Sequence, residues 1–82
     1  MVVKKQLIKT ILQNLEAKYP RSIPNLKDVI PGYENLEEVC EHLFHLKEKK
    51  LVEFKDASSA DGPGCVNIKI TKAGLAYLKD MP

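Results

Sequence analysis

Two stretches of alternating apolar and polar residues, Leu51 to Lys55 and Val66 to Ile70, flank a Ser-, Gly- and Asp-rich segment, Asp56 to Gly64. Successive side chains of a strand point to opposite faces, so each stretch can bury one face and wet the other. Joined by such a segment, the two predict an antiparallel hairpin with a long, flexible tip. A lone hairpin is marginal in water, so its apolar face must be covered by something else. The chain supplies helical patterns on both sides.

Upstream, Asn35-Leu36-Glu37-Glu38 has the form of a capping box. The Asn side chain can accept from the Glu38 backbone N–H while the Glu38 carboxylate reaches back. A helix then runs to about Lys49. On a helical wheel Leu36, Val39, Cys40, Leu43 and Leu46 share one side, with Phe44 at its margin. Glu37, Glu38, Glu41, His42, His45, Glu48 and Lys49 point away. Downstream, Thr71 serves as an N-cap, and Ala73, Leu75, Ala76 and Leu78 give a short closing helix.

The first third of the chain adds one long helix. Val3, Leu7, Ile8, Ile11, Leu12 and Leu15 recur every three to four residues, predicting an amphipathic helix from Val3 to Lys18. Lys4, Lys5, Lys9, Gln13 and Glu16 take its other face, and Tyr19-Pro20 ends it, because the residue before proline avoids helical geometry. Ser22 to Tyr33 contains Pro24, Pro31 and Gly32, which leaves room for a short helix over Asn25 to Val29 with Asn25 as its cap. The expected order is helix, helix, helix, strand, strand, helix, an α+β fold with a two-stranded antiparallel hairpin. At 82 residues the chain makes one domain spanning 1–82.

Composition narrows the setting. The apolar share of 44% against 29% charged is that of a globular domain rather than a disordered tail. No apolar run approaches the roughly 20 residues of a membrane span, and no signal-peptide pattern opens the chain. Cys40 and Cys65 form no C-x-x-C motif, so a reducing cytoplasm is the expected location. Net charge is only +2, but it is unevenly spread. Residues 1–33 hold six basic and two acidic groups, residues 34–50 three and five, and residues 51–82 four and four.

The run His42-Leu43-Phe44-His45-Leu46-Lys47-Glu48-Lys49-Lys50-Leu51-Val52, with Ile70-Thr71-Lys72-Ala73-Gly74-Leu75-Ala76-Tyr77-Leu78, resembles the minimal winged helix-turn-helix regulators of bacteria and archaea. The resemblance covers most of the chain. It implies a helix-turn-helix over Asn25 to Lys49, with the third helix entering the major groove of double-stranded DNA and the hairpin as the wing. It also implies a small transcriptional regulator without a cofactor. The nucleic-acid-binding residues it points to are His42, His45, Lys49, Lys50, Lys55, Lys69 and Lys72. At Lys50 the family often has glycine to turn the helix into the first wing strand, so Lys50 is expected in a left-handed conformation.

A second expectation comes from charge. The outward face of the third helix carries four glutamates against one certain cation, which phosphates would repel. That pattern suits a winged helix used for protein contacts, with a basic partner on the acidic helix or a second copy through helix one. The remaining chemistry is sparse. Glu38/His42 and Glu41/His45 have the spacing of solvated helix pairs, worth ~0.2 to 0.5 kcal/mol each. His42 and His45 are three apart rather than in the four-residue spacing of zincins, so no metal site is assigned. Cys40 reads as a small buried hydrophobe and Cys65, beside the tip, as the more reactive thiol. No nucleophile with a base and an orienting group is present, so no enzyme is expected.

Overall fold

A computed structural model of the chain describes residues 3–57 and 64–81. Its elements in chain order are α1 (Lys5–Glu16), β1 (Ile23–Asn25), a single 3₁₀ turn (Leu26–Asp28), α2 (Leu36–Glu48), β2 (Val52–Asp56), β3 (Cys65–Ile70) and α3 (Lys72–Asp80). The three strands form one antiparallel sheet in the order β1-β3-β2. Most of the expected hairpin tip, residues 58–63, lies outside the described residues.

The fold is α+β, as the patterning predicts, but two expectations about its first half are corrected. The order is helix, strand, helix, strand, strand, helix, and the sheet has three strands rather than two. Proline explains both. Pro24 favours extended geometry at Ile23 and cannot donate to a ladder, which suits a short edge strand better than a helix entry. Ile23 is buried opposite Ile68, and Asn25 pairs with Val66. Asn25 makes no side-chain cap bond, and the helix expected over Asn25 to Val29 shrinks to one 3₁₀ turn. Leu26 and Val29 anchor that turn in the core, and the Asn14 amide donates to the Val29 carbonyl at 2.8 Å. Gly32, at φ +83°, then reverses the chain in the left-handed region glycine tolerates.

The core gathers on the inner side of the sheet. Ile11, Leu12 and Leu15 of α1 are fully buried, as are Val39, Leu43 and Leu46 of α2 and Ile68 and Ile70 of β3. α1 packs against α3, β3 and α2, so the helix with the strongest apolar stripe holds the layers together. Val3 drops out of that stripe: it is 43% exposed and precedes the helix, which begins at Lys5. Among the described residues no helix is long and apolar enough to cross a membrane.

Both ends of the α2 to α3 half follow the local code. α2 closes with the Lys50 N–H bonded to the Lys47 carbonyl and the Leu51 N–H to the Leu46 carbonyl, at 2.9 and 3.0 Å. This is the Schellman pattern, with Lys50 at φ +63° in the position glycine usually holds. Thr71 caps α3 by accepting from the Gly74 N–H, and its single hydroxyl proton is shared between the carbonyls of Lys50 and Leu51. Gly74 is required by contact: a Cβ there would lie 2.1 Å from the Leu51 carbonyl oxygen.

Candidate functional site

The solvent face of α2 is the surface on which the expectations converge. Asn35 begins it as predicted, its side-chain oxygen accepting from the Glu38 N–H at 3.1 Å. The reciprocal half of the capping box does not form. Instead the Glu38 carboxylate accepts from the Tyr33 hydroxyl through one oxygen and from the Lys4 ammonium, at 2.9 Å, through the other. The Tyr33 hydroxyl, and after it Lys4, hold the Glu38 carboxyl below its ordinary range. The same bond raises Tyr33, and the bond to Glu38 raises Lys4.

Directly beneath this network lies His42, and here the helical wheel misleads. Periodicity places His42 on the outward face, but it is fully buried. Its Nε2 lies 3.0 Å from the Lys4 backbone N–H and its Nδ1 2.8 Å from the Glu38 carbonyl. Nε2 must accept and Nδ1 must donate, which fixes one neutral tautomer. The extended residue ahead of α1 crosses over this position, covering a ring that helical periodicity alone would leave in water. Both ring nitrogens are used, so His42 cannot contact an outside partner. It is removed from the candidate nucleic-acid contacts.

The remaining outer face is acidic. Glu37, Glu41 and Glu48 are exposed in one stripe, and exposed Glu34 stands just before the helix. Half-buried Phe44 and His45 interrupt the carboxylates. Phe44 packs edge-on against Phe54 of β2, with ring centroids 5.0 Å apart, and Lys47 lies 4.6 Å from the Phe54 ring centre. The Lys47 ammonium also donates to the Phe54 carbonyl at 3.1 Å, so that cation is tied to the hairpin rather than presented.

The lysines implied by the resemblance divide into two places. Lys49, Lys50 and Lys72 are exposed, and the Thr71 hydroxyl next to Lys72 bonds the Lys50 carbonyl, which joins the end of α2 to the start of α3. Lys55 and Lys69 belong to the outer face of the hairpin, where Lys69 sits opposite Glu53 in the ladder. The alternation of β2 makes that outward direction readable from sequence. The convergence of residues 50 and 72 is not, since it depends on how α3 folds back.

On the opposite side, α1 and α3 leave an open groove lined by Lys5, Ile8, Lys9, Tyr77, Asp80 and Met81. Tyr77 is 40% exposed there. The contact of Lys4 with Glu38 had no local signal, because the groups that meet are 34 residues apart and only the tertiary path joins them. Compared with known proteins, the chain matches no family model, no curated protein and no solved structure.

Proposed function

We propose that this chain is a winged-helix module that works by docking a basic protein surface onto the acidic outer face of α2. The winged-helix reading draws on the sheet order β1-β3-β2, with α2 leading directly into the β2-β3 hairpin and α3 closing behind it. The docking reading is carried by one observation: exposed Glu37, Glu41 and Glu48 share one stripe of α2 with half-buried Phe44 and His45, and exposed Glu34 stands just before it. Such a face repels phosphates but complements lysine and arginine, steering a basic partner and fixing its register. Phe44 supplies an aromatic anchor of the kind on which interface energy concentrates.

A second reading has its own support. The cationic corner of Lys49, Lys50 and Lys72, with Lys55 and Lys69 on the hairpin, is the part of the surface suited to a nucleic-acid backbone. In that reading the module grips phosphates through its wing side as a small transcriptional regulator, and α2 stays out of the groove.

Amide chemical shifts followed in two titrations separate the readings. One adds an arginine- and lysine-rich amphipathic peptide, the other a random-sequence DNA duplex at low salt. Docking predicts shifts along Glu34 to Glu48 with the peptide, lost in Glu37→Lys/Glu41→Lys. If the duplex instead moves Lys49, Lys50 and Lys72, and the effect collapses steeply with salt, the nucleic-acid reading replaces it. A rotational correlation time that grows with protein concentration would point to a second copy as the partner.

A further inference from the structure

Cys40 lies on the core side of α2 and Cys65 opens β3, and their sulfurs are 3.2 Å apart with both side chains buried. The thiols are free. Cys40 is placed by the apolar stripe it shares with Val39 and Leu43. Cys65 is placed by an irregularity in the hairpin. The register runs Val52↔Ile70 and Glu53↔Lys69, then slips to Lys55↔Val66 and Asp56↔Cys65. β3 therefore carries one extra residue opposite β2, a β-bulge, and Asn67 adopts φ +55° within it. Asparagine is among the few residues that tolerate this region. Strict alternation from Ile70 and Ile68 would turn residue 66 inward and residue 65 out. The bulge reverses the phase, so Cys65 faces the core and meets Cys40.

We propose that Cys40 and Cys65 are an intramolecular disulfide site, oxidised by hydrogen peroxide to lock α2 covalently onto β3. One thiolate attacks the peroxide, breaking its O–O bond, forming a sulfenic acid and releasing the other oxygen as water after protonation. The second sulfur then displaces the sulfenic hydroxyl, which leaves as water when the S–S bond forms. Two thiols lose two electrons and two protons, and hydrogen peroxide becomes two waters. The Cys65 thiol bonded to Cys40 favours Cys40 as the first nucleophile, since that contact lowers Cys40 while it raises Cys65. Burial raises both thiols, so the reaction is slow and selects for a small oxidant.

The geometry needs little adjustment, because a disulfide places its sulfurs about 2.0 Å apart. Access runs through the end of the hairpin. Cys65 pairs with Asp56 in the last rung, beside the Ala57 N–H to Gly64 carbonyl bond, and opening these terminal bonds uncovers the sulfur without unfolding the core. Once formed, the bond ties residues 25 apart in sequence and restricts the unfolded chain.

The test treats the full reduced chain with hydrogen peroxide and reads intact mass, a non-reducing peptide map and melting temperature. The expected product is a monomer lighter by two hydrogens, with the Cys40 peptide linked to the Cys65 peptide. Its melting temperature rises by roughly 10 °C and returns on addition of dithiothreitol. Cys40→Ala and Cys65→Ala should each abolish the linked peptide, with circular dichroism checking that they fold. The peptide map of the unsubstituted chain decides the matter if they do not. Covalent dimers, oxygen addition without a cross-link, or thiols that stay unchanged at a dose that oxidises the urea-unfolded chain would overturn the proposal.

Discussion

At its C-terminal end α2 is held by backbone: Lys50 turns left-handed, the Leu46 and Lys47 carbonyls are capped, and Gly74 of α3 sits against the Leu51 carbonyl. At its N-terminal end the same helix is held by side chains, with Lys4 and Tyr33 on the Glu38 carboxylate and the Lys4 N–H on His42. The first brace depends on close approach and permits almost no added volume. The second depends on the charge of the Glu38 carboxylate, so it responds to proton concentration. One helix thus has a steric anchor at one end and an electrostatic one at the other.

The largest way to break this contrast is at Gly74. Gly74→Ala puts a methyl within a forbidden distance of a main-chain oxygen, which a rotamer change cannot relieve. It should cost ~3 kcal/mol or more. Urea denaturation checks it, and a loss under ~1 kcal/mol would mean that the α3 contact is loose.

The matching change at the other end is His42→Leu, which keeps bulk but leaves the part-buried Lys4 N–H without its acceptor. A loss of ~1 to 3 kcal/mol is expected. Faster hydrogen exchange at residues 4 to 8 should accompany it, and exchange unchanged there would argue that His42 does not hold the start of α1.

Lys50→Gly sharpens the steric side in the stabilising direction. Relief of the left-handed strain, ~1 to 2 kcal/mol, is partly offset by the added freedom of glycine in the unfolded chain. A net gain of up to ~1 kcal/mol should appear as a higher melting temperature, and a lower one would show that the lysine side chain does more than tolerate the turn.

The smallest effect belongs to the electrostatic brace and is a pH dependence. The folded Glu38 carboxyl lies below its unfolded value of about 4.3. Its contribution is therefore fully present above that value and is lost as pH falls through the lowered folded one. Melting temperatures of the parent chain and Glu38→Gln should differ at neutral pH and converge in acid. A gap that persists in acid would trace the effect to packing rather than charge.

The steric end was the more legible in sequence, and the reason is range. The Thr71 cap and the strand alternation in β2 each involve residues a few positions apart, so local chemistry specifies them, and the left-handed Lys50 follows from the resemblance. The electrostatic end joins Lys4 to residues 34 and 38 positions away. A helical wheel assigns His42 to solvent because it knows only its own helix.

Three of the four expected helices, the hairpin, the turn at Pro31-Gly32 and the acidic exposed stripe of α2 were legible from spacing, caps and charge. Tertiary pairing with β3 turned Ile23 to Asn25, already biased to extended geometry by Pro24, into a third strand, covered His42, and through a one-residue bulge at Asn67 turned Cys65 toward Cys40. Each of these depends on which distant surface arrives to pair with or cover a residue. The alternation that announced the hairpin therefore gave its strands, while the slip within it decided which sulfur faces the core.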